Sequence, residues 1–99
     1  MFNKVTIIGL GLIGGSLALS IKEKKLAKEI VGVSRRKSTI NQALKNRIVD
    51  SATLNLKKGV RDSDLVIITT PVLKIIDIVK RIEPFLKKDC IVTDTEKNI

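Results

Sequence analysis

Short apolar runs alternate with segments of helical spacing along this chain. Val5 to Ile8 is a β-branched run closed by Gly9 and reads as a first strand. From Leu12 to about Lys24 the pattern turns helical, and Ile13, Leu17 and Ile21, four apart, are expected to share its inner face. Lys22 to Lys25 form a solvated end. Ile30 to Val33 reads as a second strand. Ser38 or Thr39 can cap the helix that follows, Thr39 and Gln42 standing at capping-box spacing, with Ile40, Ala43 and Leu44 turned inward. Asn46 stands where a left-handed C-terminal residue is expected. A third strand is expected near Ala52 and Thr53.

Leu65 to Ile68 is the most apolar strand, introduced by Asp62-Ser63-Asp64 and closed by Thr69-Thr70-Pro71. Val72, Ile75, Ile76, Val79 and Ile82 then recur at i, i+3, i+4, i+7 and i+10, predicting an amphipathic helix whose Lys74, Asp77, Lys80 and Arg81 point away to solvent. Pro84 disfavours helical geometry at Glu83 and should stop that helix. Cys90 to Thr93 reads as a fifth strand ending at Asp94. Strands alternating with helices predict an α/β fold, a doubly wound parallel sheet of about five strands in the order 3-2-1-4-5. Residues 1–99 show no repeat, low-complexity tract or linker, and read as one domain.

Composition narrows the reading. Hydrophobic residues make up 43% and charged residues 29%, an ordinary soluble balance, and Phe2 and Phe85 are the only aromatics. The core must therefore be aliphatic, as in a parallel sheet covered on both faces. The formal charge of +9 invites nucleic acid, yet Lys and Arg are spread along the chain without aromatic platforms to stack bases. A solvated basic surface is expected instead, with no nucleic-acid partner. Cys90 has no second cysteine to bridge, which fits a buried thiol in a reducing, cytoplasmic compartment. No signal peptide is read at the start, and no apolar stretch approaches 18 residues, so no membrane partner is expected.

The chemistry lies in Gly9-Leu10-Gly11-Leu12-Ile13-Gly14, which fits the dinucleotide fingerprint G-x-G-x-x-G. The spacing alone is weak, but here it leaves a strand and opens a helix, the context of a Rossmann-type turn. Gly9 allows the tight turn, Gly11 leaves room for a pyrophosphate, and Gly14 lets the helix approach the sheet. The helix start offers unpaired N–H groups and the positive end of a dipole. No Gly-Lys-Ser/Thr follows, so a Walker A loop is excluded.

The residue ending the second strand reads the adenosine ribose, and a carboxylate there favours NAD. This chain has Ser34-Arg35-Arg36-Lys37 instead. Ser34 can donate to a 2′-phosphate, and Arg35 or Arg36 can stack on adenine or pair with phosphate oxygens. NADP is the expected cofactor, with NAD as the alternative.

The run Val5 to Ala18, above all its Gly-Leu-Ile-Gly-Gly-Ser portion, resembles the prephenate and arogenate dehydrogenase family. Asp64 to Val72 is similar to that family's fourth strand and Thr-Pro-Val turn, and Ile91 to Asp94 to its fifth strand. The resemblance implies oxidative decarboxylation of prephenate or arogenate, with hydride passing to a nicotinamide, and a cofactor domain followed by a helical substrate and dimerisation domain. It implies that Gly9 to Gly14 hold the pyrophosphate and Ser34, Arg35 and Arg36 meet the adenosine end. Thr69, Thr70 and Pro71 would line the nicotinamide-ribose side.

Two departures matter. The family's small stretch and Ser after Val-Thr-Asp is not matched by Thr95-Glu96-Lys97-Asn98, and the family's catalytic His has no counterpart, since the chain has no His. Asp94 reads as a polar strand end rather than a substitute base. A positioned general base is worth ~10²–10⁴-fold in rate, so cofactor binding without turnover is expected. The substrate and dimerisation domain is not seen, the fold is expected to be short of a full dinucleotide-binding domain, and apolar surface left beside the fifth strand predicts self-association. The chain reads as an excised domain, a truncated reading frame or an independent protein. Rival functions are a non-catalytic nucleotide-binding or regulatory module, or the cofactor domain of another NAD(P)-dependent reductase.

Overall fold

A computed structural model describes residues 1–95. Five parallel strands form one sheet in the order β3-β2-β1-β4-β5. They are β1 (Phe2–Ile8), β2 (Ala27–Val33), β3 (Ser51–Thr53), β4 (Leu65–Ile68) and β5 (Ile91–Asp94). The helices are α1 (Leu12–Glu23), α2 (Lys37–Lys45), α3 (Leu56–Val60) and α4 (Val72–Ile82), followed by a 3₁₀ turn at Glu83–Phe85. Val5 to Ile8 are all buried because β1 is central and covered on both faces, which is why it reads as an unbroken apolar run.

Registration decides where function can sit. Ile8 lies opposite Val33 on one side and Ile68 on the other, Val33 opposite Thr53, and Ile68 opposite Asp94. The five carboxyl ends are level, so the segments leaving them emerge along one edge. One apolar cluster joins Val5 and Ile7 to Ala18 and Ile21 of α1 and Ala43 of α2. A second joins Ile8, Val66 and Ile68 to Val60 of α3 and to Ile78 and Ile82 of α4. Within this second layer the buried Thr6 hydroxyl donates to the Gly59 carbonyl (2.6 Å) and pairs with the buried Ser63 hydroxyl, tying the end of α3 to the central strand.

At the amino edge, the Asp64 carboxylate accepts the Asn3 amide (2.6 Å) and the Lys4 amide (3.2 Å) and takes the Lys87 ammonium. The Lys87 hydrogen bond, then the two amides, hold its carboxyl below the ordinary value, and the same bond raises Lys87 above its own. Cys90 precedes β5 rather than opening it; it is half-buried, and desolvation pushes its thiol up.

Several local expectations are corrected. The inner face of α1 is Gly14, Ala18 and Ile21, while Ile13 is 61% exposed and Leu17 half-buried. The helix lies so close to the sheet that small residues make the contact. In α2, Ile40 and Ala43 are buried but Leu44 is exposed. That helix starts at Lys37 with Arg36 at the cap and no capping side chain, so Thr39 is already inside it and no capping box forms. Its left-handed exit residue is Arg47 (φ 56°), not Asn46 (φ −86°). On α4 the buried positions are Ile78 and Ile82, with Val72 and Ile76 exposed. The α-helix does stop at Ile82, yet Glu83 keeps helical angles and Pro84 sits within the 3₁₀ turn, where its missing N–H is tolerated. The unmatched stretch from Glu96 to Ile99 lies outside the described residues.

Candidate functional site

The glycine turn sits between three strands' worth of backbone. The Gly9 amide donates to the Val33 carbonyl at 2.7 Å, and Thr69 at the end of β4 donates from its amide to the Ile8 carbonyl at 2.9 Å. The Thr69 hydroxyl also donates to the carbonyls of Ile8 and Gly9, clasping β1 to β4 just where the chain turns. Gly9 has φ +99°, a backbone that side chains rarely adopt. A Cβ on Gly14 would stand 1.8 Å from the Gly9 carbonyl oxygen, so only glycine lets α1 start this close to the strand end. Leu10 between them is buried as a peg, its side chain lying where a Cβ on Gly32 would come within 2.3 Å of it.

Gly11 differs from these, because a Cβ there would meet nothing within 4 Å. Among the described residues no atom asks for glycine at that position, which is exposed. Gly11 caps α1 without a side chain, and the first turn carries no acidic residue. The amides of Leu12, Ile13 and Gly14 thus have neither an intrahelical partner nor a capping oxygen.

A cleft of about 1120 Å³ opens along the carboxyl edge. Gly9, Leu10 and Gly11 line it from β1, Ser34, Arg35 and Arg36 from β2, and Thr69, Thr70 and Pro71 from β4. Leu12, Ile13 and Gly14, also predicted, belong to the first turn of α1 beside it and are not among its walls; Leu12 and Ile13 side chains are exposed. The Ser34 hydroxyl accepts the Arg36 amide at 3.2 Å, which leaves its own hydrogen to donate. Arg35 and Arg36 are exposed. Thr70 holds its Oγ1 buried with no hydrogen-bond partner among the described residues, a polar atom that burial leaves unsatisfied.

Sequence reasoning missed the far wall. Asn55 and Lys57 line the cleft from α3, a helix capped by the Asn55 side chain accepting the Lys58 amide at 3.0 Å. Lys74, Asp77 and Arg81, expected to face bulk solvent on α4, border the same cleft. The Lys57 ammonium lies 5.0 Å from the centre of the Phe85 ring, which also lines it. The polar residues after Thr53 and the charged positions of α4 held the available signal, namely that both follow strand ends on the edge where α/β sheets bind ligands.

An open parallel sheet with a glycine turn into its first helix, and a crevice where the strand order reverses between β1 and β4, defines a nucleotide-binding domain of the Rossmann type. Comparison with known proteins makes the class specific. The chain belongs to the family described as prephenate dehydrogenase, nucleotide-binding domain, whose profile matches residues 17–97. It is 41% identical over 93 residues to a prephenate dehydrogenase of Lactococcus lactis, covering 93% of this chain and 26% of that one. Among solved structures, the prephenate dehydrogenase of Aquifex aeolicus in complex with hydroxyphenyl propionate and NAD+ superposes with a TM-score of 0.87 at 28% identity, covering 95% of this chain and 33% of that one. The arogenate dehydrogenase of Synechocystis gives 0.87 at 32% identity, covering 94% and 32%. The chain spans between about a quarter and a third of the length of these relatives. Among the described residues no helix is long and apolar enough to cross a membrane.

Proposed function

We propose that this chain binds NADP along the carboxyl edge of its sheet, as the cofactor-holding part of a prephenate or arogenate dehydrogenase. The observation that carries the reading is the convergence on one cleft of three segments far apart in sequence, Gly9–Gly11, Ser34–Arg36 and Thr69–Pro71. The residues fit such a ligand. Open space at Gly11 admits a pyrophosphate to the uncapped amides of Leu12, Ile13 and Gly14. The Ser34 hydroxyl and the guanidinium groups of Arg35 and Arg36 take the adenosine end, with no carboxylate at the strand end to repel a 2′-phosphate. Thr69, Thr70 and Pro71 would line the nicotinamide-ribose side.

When bound, the cofactor supplies the hydride acceptor for oxidative decarboxylation. The chain's own part is to hold and orient it, and with no His in the sequence we assign it no proton transfer and no turnover alone. NAD is the second reading, favoured by the NAD+ in the Aquifex aeolicus structure. We read residues 1–99 as one domain of a cytoplasmic protein, consistent with the single unpaired thiol. We also propose self-association through apolar positions left open, Leu73, Ile76 and Ile91 at the start of α4 and on the edge strand.

Calorimetric titration tests the assignment. NADP is expected to bind more tightly than NAD, and Arg35→Ala to weaken NADP more than NAD. Failure of both dinucleotides to bind would refute the site, and preference for NAD would overturn the NADP reading. Prephenate with NADP should give no product; measurable turnover would refute the assignment of binding without catalysis.

A further inference from the structure

Lys74, Asp77, Ile78 and Arg81 fall three, one and three residues apart on α4, one stripe of the helix, and all four line the cleft. The stripe brings two cations to the cleft that Arg35 and Arg36 also line. Among the described residues that line the cleft, Arg35, Arg36, Lys57, Lys74 and Arg81 stand against the single carboxylate of Asp77. A pyrophosphate alone does not call for this excess, because the amides at the start of α1 already serve it. A phosphomonoester on the adenosine ribose brings about 1.5 to 2 further negative charges.

We propose that Arg81 is a specificity-determining residue for the 2′-phosphate, acting from α4 on the cleft that Arg35 and Arg36 also line, and that Asp77 tunes it. The proposal rests on the reading of this cleft as the NADP site. Arg81 is suited by its chemistry and by its present commitments. Its guanidinium lies 3.9 Å from the Asp77 carboxylate, too long for a hydrogen bond, and both side chains are mostly exposed. Among the described residues no hydrogen bond holds it, so its planar set of donors is available to phosphate oxygens. Lys57 is placed over the Phe85 ring instead. The Asp77 carboxylate beside Arg81 competes with the ligand for it, and its charge opposes an incoming phosphate.

The two residues therefore make opposite predictions. With the full chain, titrations use NADP and NAD, and also 2′,5′-ADP and 5′-AMP, which report the adenosine end alone. Arg81→Gln should weaken NADP and 2′,5′-ADP by about five- to tenfold, the range for one charge-assisted phosphate contact near solvent, and leave NAD and 5′-AMP within about twofold. Asp77→Asn should strengthen the two 2′-phosphorylated ligands by about two- to threefold, and ~0.5 M salt should compress both effects. Both positions are exposed, so thermal melts are expected to match the parent.

Equal weakening of NADP and NAD by Arg81→Gln would place Arg81 on the shared pyrophosphate and overturn the proposal. So would an unchanged preference in both variants. In either case Arg35→Ala still lowering NADP affinity leaves the site assignment standing; binding of no ligand by the parent chain would remove both.

Discussion

Two neighbouring glycines in α1 should respond to the same substitution with opposite signs. Alanine is favoured over glycine in a helix by about 0.5–1 kcal/mol. At Gly15 nothing lies within 4 Å of the new Cβ, so Gly15→Ala should keep that gain. At Gly14 the Cβ meets the Gly9 carbonyl oxygen at 1.8 Å and the Thr69 hydroxyl at 2.8 Å. To reach even 3.0 Å from that oxygen the helix must withdraw by about 1.2 Å, and the obstacle is backbone, which has no rotamer to yield. Overpacking of this kind costs about 1–3 kcal/mol, and the upper part of that range applies here, leaving a net loss of about 1–2 kcal/mol. For a domain of this size each kcal/mol shifts the melting temperature by roughly 4–8 °C. Differential scanning calorimetry should therefore rank Gly15→Ala above the parent and Gly14→Ala below it. Withdrawal of α1 also moves the uncapped amides, so Gly14→Ala should lose dinucleotide binding. A Gly14→Ala protein that melts at or above the parent would refute the argument, because the helix start would then not be pressed against the strand.

Thr6→Val removes the hydroxyl that bonds the buried Gly59 carbonyl at 2.6 Å and pairs with Ser63, leaving the 3.5 Å Ser63 contact in its place, and urea denaturation should show a loss of about 1–3 kcal/mol. Adding Ser63→Ala should deepen the loss, since the Ser63 hydroxyl, 3.5 Å from the Gly59 carbonyl, is the side-chain donor left to it. Asp64, whose carboxyl is held below its ordinary value by Lys87 and two amides, contributes stability that is present above the unfolded value near 3.8 and is lost as pH falls through the lower folded value. Asp64→Asn should flatten that acid limb in pH-dependent melts; an unchanged limb would rule out the pairing as its source. Leu73→Asp with Ile76→Lys should lower any concentration-dependent association seen by sedimentation, and an unaltered profile would exclude that face.

What the sequence disclosed follows from how each element is buried. Strands covered on both faces, such as Val5 to Ile8 and Leu65 to Ile68, appear as continuous apolar runs and were legible. The glycine turn was legible because its spacing is rare and its context specific. The face of α1 was not, since Gly14 and Ala18 make the closest approach and carry almost no hydropathy signal. The five-residue α3 was hidden because Lys57 and Lys58 mask any apolar periodicity, and its Asn55 cap is short-range chemistry. The charged stripe of α4 was visible as a stripe, but periodicity distinguishes only core from non-core. Whether Arg81 meets bulk water or a cleft wall depends on β2 and α3, brought alongside by topology alone. Of the candidate site, then, the near wall was readable and the far wall was not.

Leu10 occupies a variable position of the fingerprint, yet it fills the gap that the missing side chain of Gly32 leaves in the neighbouring strand. The turn is thus keyed into β2 like a tenon into a mortise. Transplanting residues 9–14 into another sheet would fail unless the host strand offered the same notch. Conversely, enlarging residue 32 would dislodge the turn from below without touching any ligand.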